Sequence, residues 1–222
     1  MTAGSQNIAP HRSGFRWIAA RLLGRARNDS GMAAVEFSLI LPILVLLWIG
    51  GVEVTEALSV DRRVNNLASS IGDLVARSKQ ISEAEMTKVF DLGPKVMYPS
   101  CDIAGKPTCA SRGLAMRITA VNMDGATPAN GSVAWSRASG VTKYTTANNS
   151  QMNTLVPQAL RVQNTQVIMA QVFYNYKPAI GYVITGSNGV ALDDRMFFVP
   201  RLATTVQLCT AGPPYTGCPA AP

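Results

Sequence analysis

One stretch constrains this chain more than any other: Ser30 to Gly51, which reads SGMAAVEFSLILPILVLLWIGG. From Phe37 to Val52 nothing is charged, and Leu, Ile, Val and Trp dominate. A helix needs roughly 20 apolar residues, at about 1.5 Å rise each, to cross a bilayer. The run from Met32 is that long and is interrupted by a single acid, Glu36. A carboxylate inside an apolar helix is expensive unless it finds a partner, so Glu36 is a functional candidate on physical grounds alone. The plain alternative is a signal anchor whose acid snorkels toward the headgroups.

The residues around the acid form a pattern. Gly31 closes a basic leader, Met32-Ala33-Ala34-Val35 follows, and then come Glu36-Phe37 and an apolar helix with Pro42 in its first half. This resembles the class III, type IV pilin-like signal, in which cleavage follows a Gly and a Glu stands at the fifth mature position. The longer string GMAAVEFSLILPILVLLWIGGVEV resembles the TadE-like family, small membrane-anchored pseudopilins of Tad, Flp-type pilus systems. The close resemblance runs over about 31–75. It implies that Gly31 and Met32 flank the bond cut by a prepilin peptidase, and that Glu36 and Phe37 dock neighbouring subunits. It also implies partners among other pilus-assembly subunits and pseudopilins. A Gly before the scissile bond lets a peptidase approach a backbone that carries no Cβ. Pro42 removes one helical hydrogen bond, which a membrane helix tolerates.

Charge supports this layout. The chain of 222 residues carries a net charge of +7. Arg12, Arg16, Arg21, Arg25 and Arg27 lie in the leader against one acid, Asp29, which leaves fifteen basic and twelve acidic residues downstream. Basic residues before a span hold that end in the cytoplasm. The expected location is therefore the inner membrane, single-pass, with the C-terminal part periplasmic. No basic stripe with interleaved aromatics follows, so no nucleic-acid partner is expected. Aromatic and aliphatic residues of the leader alternate with Arg, as in a short helix lying on the inner membrane face.

Four cysteines, Cys101, Cys109, Cys209 and Cys218, all follow the span, as expected for an oxidising compartment. Their spacing suggests two local loops, but three connectivities are open. Zinc is the rival; no Cys-x2-Cys pair exists, and the single His, His11, is in the leader. That His also rules out a Ser-His-Asp or Cys-His arrangement downstream. There is no GxxxxGK[ST] loop. Neither enzymatic activity, a cofactor nor a small-molecule substrate is expected. Asp193-Asp194 reads as a solvated turn rather than a metal site, and Tyr174 with Tyr176 as core or ladder rather than a ligand site.

The expected fold class is α+β: a long N-terminal transmembrane helix extending into a small mixed head with an antiparallel sheet. The segments are a leader over 1–31, a span over 32–52, an amphipathic helix over 53–80 and a head over 81–222. Ala57, Val60, Val64, Leu67, Ile71 and Leu74 make an a/d-type stripe. Its expected partner is the chain's own head; the alternative is a neighbouring subunit. One helix from about Met32 to Lys79 would be roughly 70 Å long. Ser82-Glu83-Ala84-Glu85 is a capping box that starts a second helix, ended at Leu92-Gly93-Pro94. Strands are expected over 114–121, over 132–136 around a core Trp135, over 165–176, and as a last strand pair or a bent strand over 195–208 with Pro200 at an edge or bulge. Residues 137–153 and 179–194 read as connections, and the tail from Thr210 as loose beyond its disulfide. The rival reading for the whole chain is an uncleaved, signal-anchored periplasmic binding or adhesion domain.

Overall fold

The computed structural model describes residues 29–98, 113–178 and 189–219. Most of the leader, together with Cys101 and Cys109, lies outside the described residues. The chain divides into two compact units, Met1–Gly51 and Val52–Pro222. A long N-terminal apolar helix is followed by a small α+β head with an antiparallel four-stranded sheet.

Helix α1 spans Asp29–Ala76, 48 residues, with Pro42 inside it. Its C-terminal part buries Val64, Leu67, Ala68, Ile71, Val75 and Ala76. Leu74, the last residue of the expected stripe, is instead 45% exposed. The reason is geometric. A strict 3.5-residue repeat drifts about 20° per heptad on a straight helix, so within two heptads the buried line moves from 74 to 75. The stripe does pack on the chain's own head, in one core with Ile118, Ala120, Ile168, Ala170 and Val172. Gly72 permits the closest approach: a Cβ there would collide with the ring of Phe198 and sit 3.0 Å from the Cβ of Ala170.

A three-residue strand, β1 (Gln80–Ser82), follows, and then α2 (Glu83–Met97). The capping box forms as expected. Ser82 Oγ accepts from Glu85 N at 3.2 Å, and Glu85 Oε2 accepts from Ser82 N at 2.8 Å. Pro94 does not end α2; the helix runs on to Met97, and Tyr98 N donates to Pro94 O at 2.8 Å. A proline forbids only its own N–H bond and crowds the turn before it, leaving its carbonyl free to accept the next turn.

The sheet comprises β2 (Leu114–Met123), β3 (Gly131–Ser139), β4 (Gln166–Tyr176) and β5 (Val190–Phe198) in the order β3-β2-β4-β5, antiparallel throughout. Both faces are covered. One packs on α1 and α2; the other packs Val121, Met123, Val167 and Met169 on Met152 and Val156. Met152 belongs to α3 (Asn149–Leu155), which sits where the sequence reads as a polar loop. Only one residue of that helix is buried, too few to leave a period in the sequence. Asp193 and Asp194 are likewise not a turn: they lie within β5, opposite Phe173 and Val172.

The expected strand pair or bent strand over 195–208 resolves differently. After β5 the chain straps across the core and enters β6 (Gln207–Cys209), which pairs in parallel with β1. Val206 is gripped from both sides: its N–H donates to Gln166 Oε1 at 2.7 Å, and its carbonyl accepts from Trp135 Nε1 at 2.8 Å. Trp135 is thus a core residue with its polar handle satisfied. Arg201 N donates to Ala76 O at 2.9 Å, closing the end of α1.

Cys209 is bonded to Cys218. The loop so closed carries Tyr215, whose hydroxyl donates to Glu85 Oε1 at 3.0 Å and ties the tail to the start of α2. Closing a loop of this length restrains the unfolded chain by about 2.5 kcal/mol. We therefore expect the Cys209→Ser, Cys218→Ser double variant to lose about that much stability against urea, with the sheet retained by circular dichroism. A loss below about 0.5 kcal/mol would show the loop to be already ordered without its bond.

Candidate functional site

The first turns of α1 carry the sequence-expected site. The first four N–H groups of a helix have no partner within it, so Gly31 and Met32 lie where the helix is least tied. A Cβ built on Gly31 would meet nothing within 4 Å. Nothing in the described chain therefore requires glycine at this position; the requirement, if any, is imposed from outside.

Two polar side chains follow within the apolar run. Ser38 is satisfied locally, its Oγ donating to Val35 O at 2.7 Å. Glu36 is exposed and has no hydrogen-bond or ion-pair partner among the described residues. Ile40, Ile43 and Leu47 follow it at helical spacing on one face, all exposed. Phe37 is 58% exposed and Trp48 71%. The structure thus brings Gly31, Met32, Glu36 and Phe37 together on two turns of one helix, all exposed and uncovered by the other described residues.

The head holds a second feature, which sequence reasoning missed. A groove of ≈ 350 Å³ lies beside β3, lined by Trp135, Arg137, Lys143, Tyr144, Leu208 and Pro219 among others. Arg137 forks onto Glu83, with Nε 2.7 Å from Oε2 and a further bond from Nη2 to Oε1. That bond holds the Glu83 carboxyl below the usual range and raises the guanidinium. Behind Tyr144 lies Arg117, only 8% exposed. Its guanidinium carbon stands 3.6 Å from the Tyr144 ring centroid, and its donors reach Gln171 Oε1 at 2.9 Å, Thr142 O at 3.0 Å and Tyr144 Oη at 2.8 Å. Burial pushes this guanidinium down, and the tyrosine opposes the push. Arg117 alternates with apolar residues in β2 and so reads as outward-facing. Because both faces of the sheet are covered, alternation here separates two cores rather than core from solvent. Among the described residues there is no cluster of three or more His, Cys, Asp or Glu side chains.

Among the described residues one helix is long and apolar enough to cross a membrane, and none of its apolar window is buried, which fits a single-pass anchor ahead of an α+β head. A family model described as TadE-like protein matches residues 31–72. Over those residues the chain is similar to TadE-like proteins, as the Gly31–Phe37 motif suggests, and the helix and the match together support a membrane-anchored, Tad pilus-related protein. The match covers most of α1 and none of the sheet. No curated protein and no solved structure matches the chain.

Proposed function

We propose that this chain is a minor pseudopilin of a Tad, Flp-type pilus system, cut between Gly31 and Met32 by a prepilin peptidase and held in the inner membrane by α1. Its role is assembly rather than catalysis. The N-terminus is cytoplasmic and the head periplasmic, as the five leader arginines favour. The observation that carries the reading is Glu36: an exposed carboxylate in the apolar, unburied part of α1, with no partner among the described residues. An unpaired charge in hydrocarbon costs several kcal/mol. Once the leader is gone, Met32 presents a free ammonium, and the ammonium of a neighbouring subunit is the partner Glu36 lacks. Phe37 packs beside that pair.

The test is Glu36→Ala in the native host. Cleavage and membrane insertion proceed, because the variant removes a charge from an apolar span, while assembled pili fall at least about tenfold, since an ion pair in a water-poor setting is worth more than about 1.4 kcal/mol. Pilus number is counted by electron microscopy and processing by mass. Normal piliation by the Ala variant removes the docking role.

A further inference from the structure

The two outer strands of the sheet, β3 and β5, each have one edge without a partner strand among the described residues. Within the described residues β3 pairs only with β2, and β5 only with β4. An unpaired strand edge is a template for another strand unless it is covered. The first half of β3 is covered: Gly131 N donates to Asn153 Oδ1 at 2.7 Å, and Val133 N to Asn149 Oδ1 at 2.8 Å. The second half, beyond the bulge opposite Ala120 and Val121, borders the groove formed with Lys143, Tyr144, Leu208 and Pro219, and there Ser136 O accepts from Arg137 Nη1 at 2.8 Å, so this half is capped at one carbonyl only.

The far edge has the opposite charge. Groove residues Arg137 and Lys143 face one nearby acid, Glu83, which leaves one positive charge in surplus. Strand β5 carries Asp193 and Asp194 against Arg195, one negative charge in surplus. The backbone N–H of Arg195 is held by the neighbouring Asp194 Oδ1 at 2.7 Å rather than by a strand. Asp194 Oδ2 and Arg195 Nε are buried atoms without a hydrogen-bond partner.

Direction also agrees. With every neighbouring pair antiparallel in the order β3-β2-β4-β5, strands β3 and β5 run in opposite senses. A copy set beside the first by translation lays its β5 antiparallel to the open half of β3. We propose that the β3 edge of one head receives the β5 edge of a second copy, so that one sheet continues from head to head. Such a contact is head-to-tail and repeats with each added copy. It is a strand-addition contact, in which backbone bonds supply affinity and the Lys143–Asp193 charges supply register and partner choice. The proposal does not depend on leader cleavage or on the pilus reading.

A charge exchange tests it on the full chain in detergent micelles, with donor- and acceptor-labelled copies followed by energy transfer. Lys143 and Asp193 are both exposed, so their reversal leaves the fold intact. Lys143→Glu alone and Asp193→Lys alone each weaken self-association about tenfold. An equal mixture of the two variants recovers wild-type association, because every contact in an alternating row again joins opposite charges. Any of three results overturns the proposal: wild-type copies that do not associate up to about 100 µM, reversals that change nothing, or a loss in both variants that mixing does not restore.

Discussion

Gly31→Leu is expected to leave the chain at its precursor mass, while the wild-type protein extracted from its native membrane begins at Met32. The effect is all or none because the substitution acts on recognition and not on folding. A side chain at position 31 meets nothing within 4 Å in the described chain. Leu is also a better helix former than Gly by roughly 0.8 kcal/mol, so α1 gains rather than loses stability. Intact mass and N-terminal sequencing read the result, and Gly31→Ala, which adds a single carbon, is the intermediate case. A Leu variant trimmed at the normal rate removes Gly31 from the processing site. A wild-type chain that keeps residues 1–31 removes processing altogether and returns the protein to the class of uncleaved anchored domains.

The second large effect lies in the head. Leu67→Ala is expected to destabilise the head by about 2–5 kcal/mol, the range for a fully buried Leu whose cavity cannot collapse. Leu74→Ala, on the same helix and of the same chemistry, is expected to cost less than about 1 kcal/mol, because Leu74 is 45% exposed. Thermal melts of the two variants in detergent make the comparison. Equal losses at both positions would mean that α1 presents a strict heptad face to a partner, rather than the 3.6-residue face described above.

That pair of leucines also marks how far the sequence could be read. The apolar run, its lone acid and the capping box at Ser82 are local signals, each written in a few adjacent residues, and each was legible. The stripe was legible in kind but not in phase, since heptad and helical periods drift apart by only about 40° over two heptads. Strand β1 and the start of β5 were not legible. Gln80–Ser82 is extended only because Gln207–Cys209 lies beside it, and Val190–Asp194 only because Val172–Tyr176 does. Helix α3 was hidden for another reason: it is polar, short and held by one buried methionine. Of the candidate site, Gly31, Met32, Glu36 and Phe37 were named from the motif. The groove was not, because its walls come from β3, the 143–146 segment and the far C-terminal segment, which only the fold brings together.

The pairing of β1 with β6 has a consequence for the order of events in making the protein. Ile81 waits for Leu208, and the indole of Trp135 waits for Val206. Both partners leave the ribosome long after the residues they meet. Contacts so distant in sequence form late, after the loops between them have closed. The helix that anchors the chain is complete long before, being local along its whole length. The helix therefore precedes closure of the head: the segment 206–209 locks the domain only after everything between it and β1 has been made.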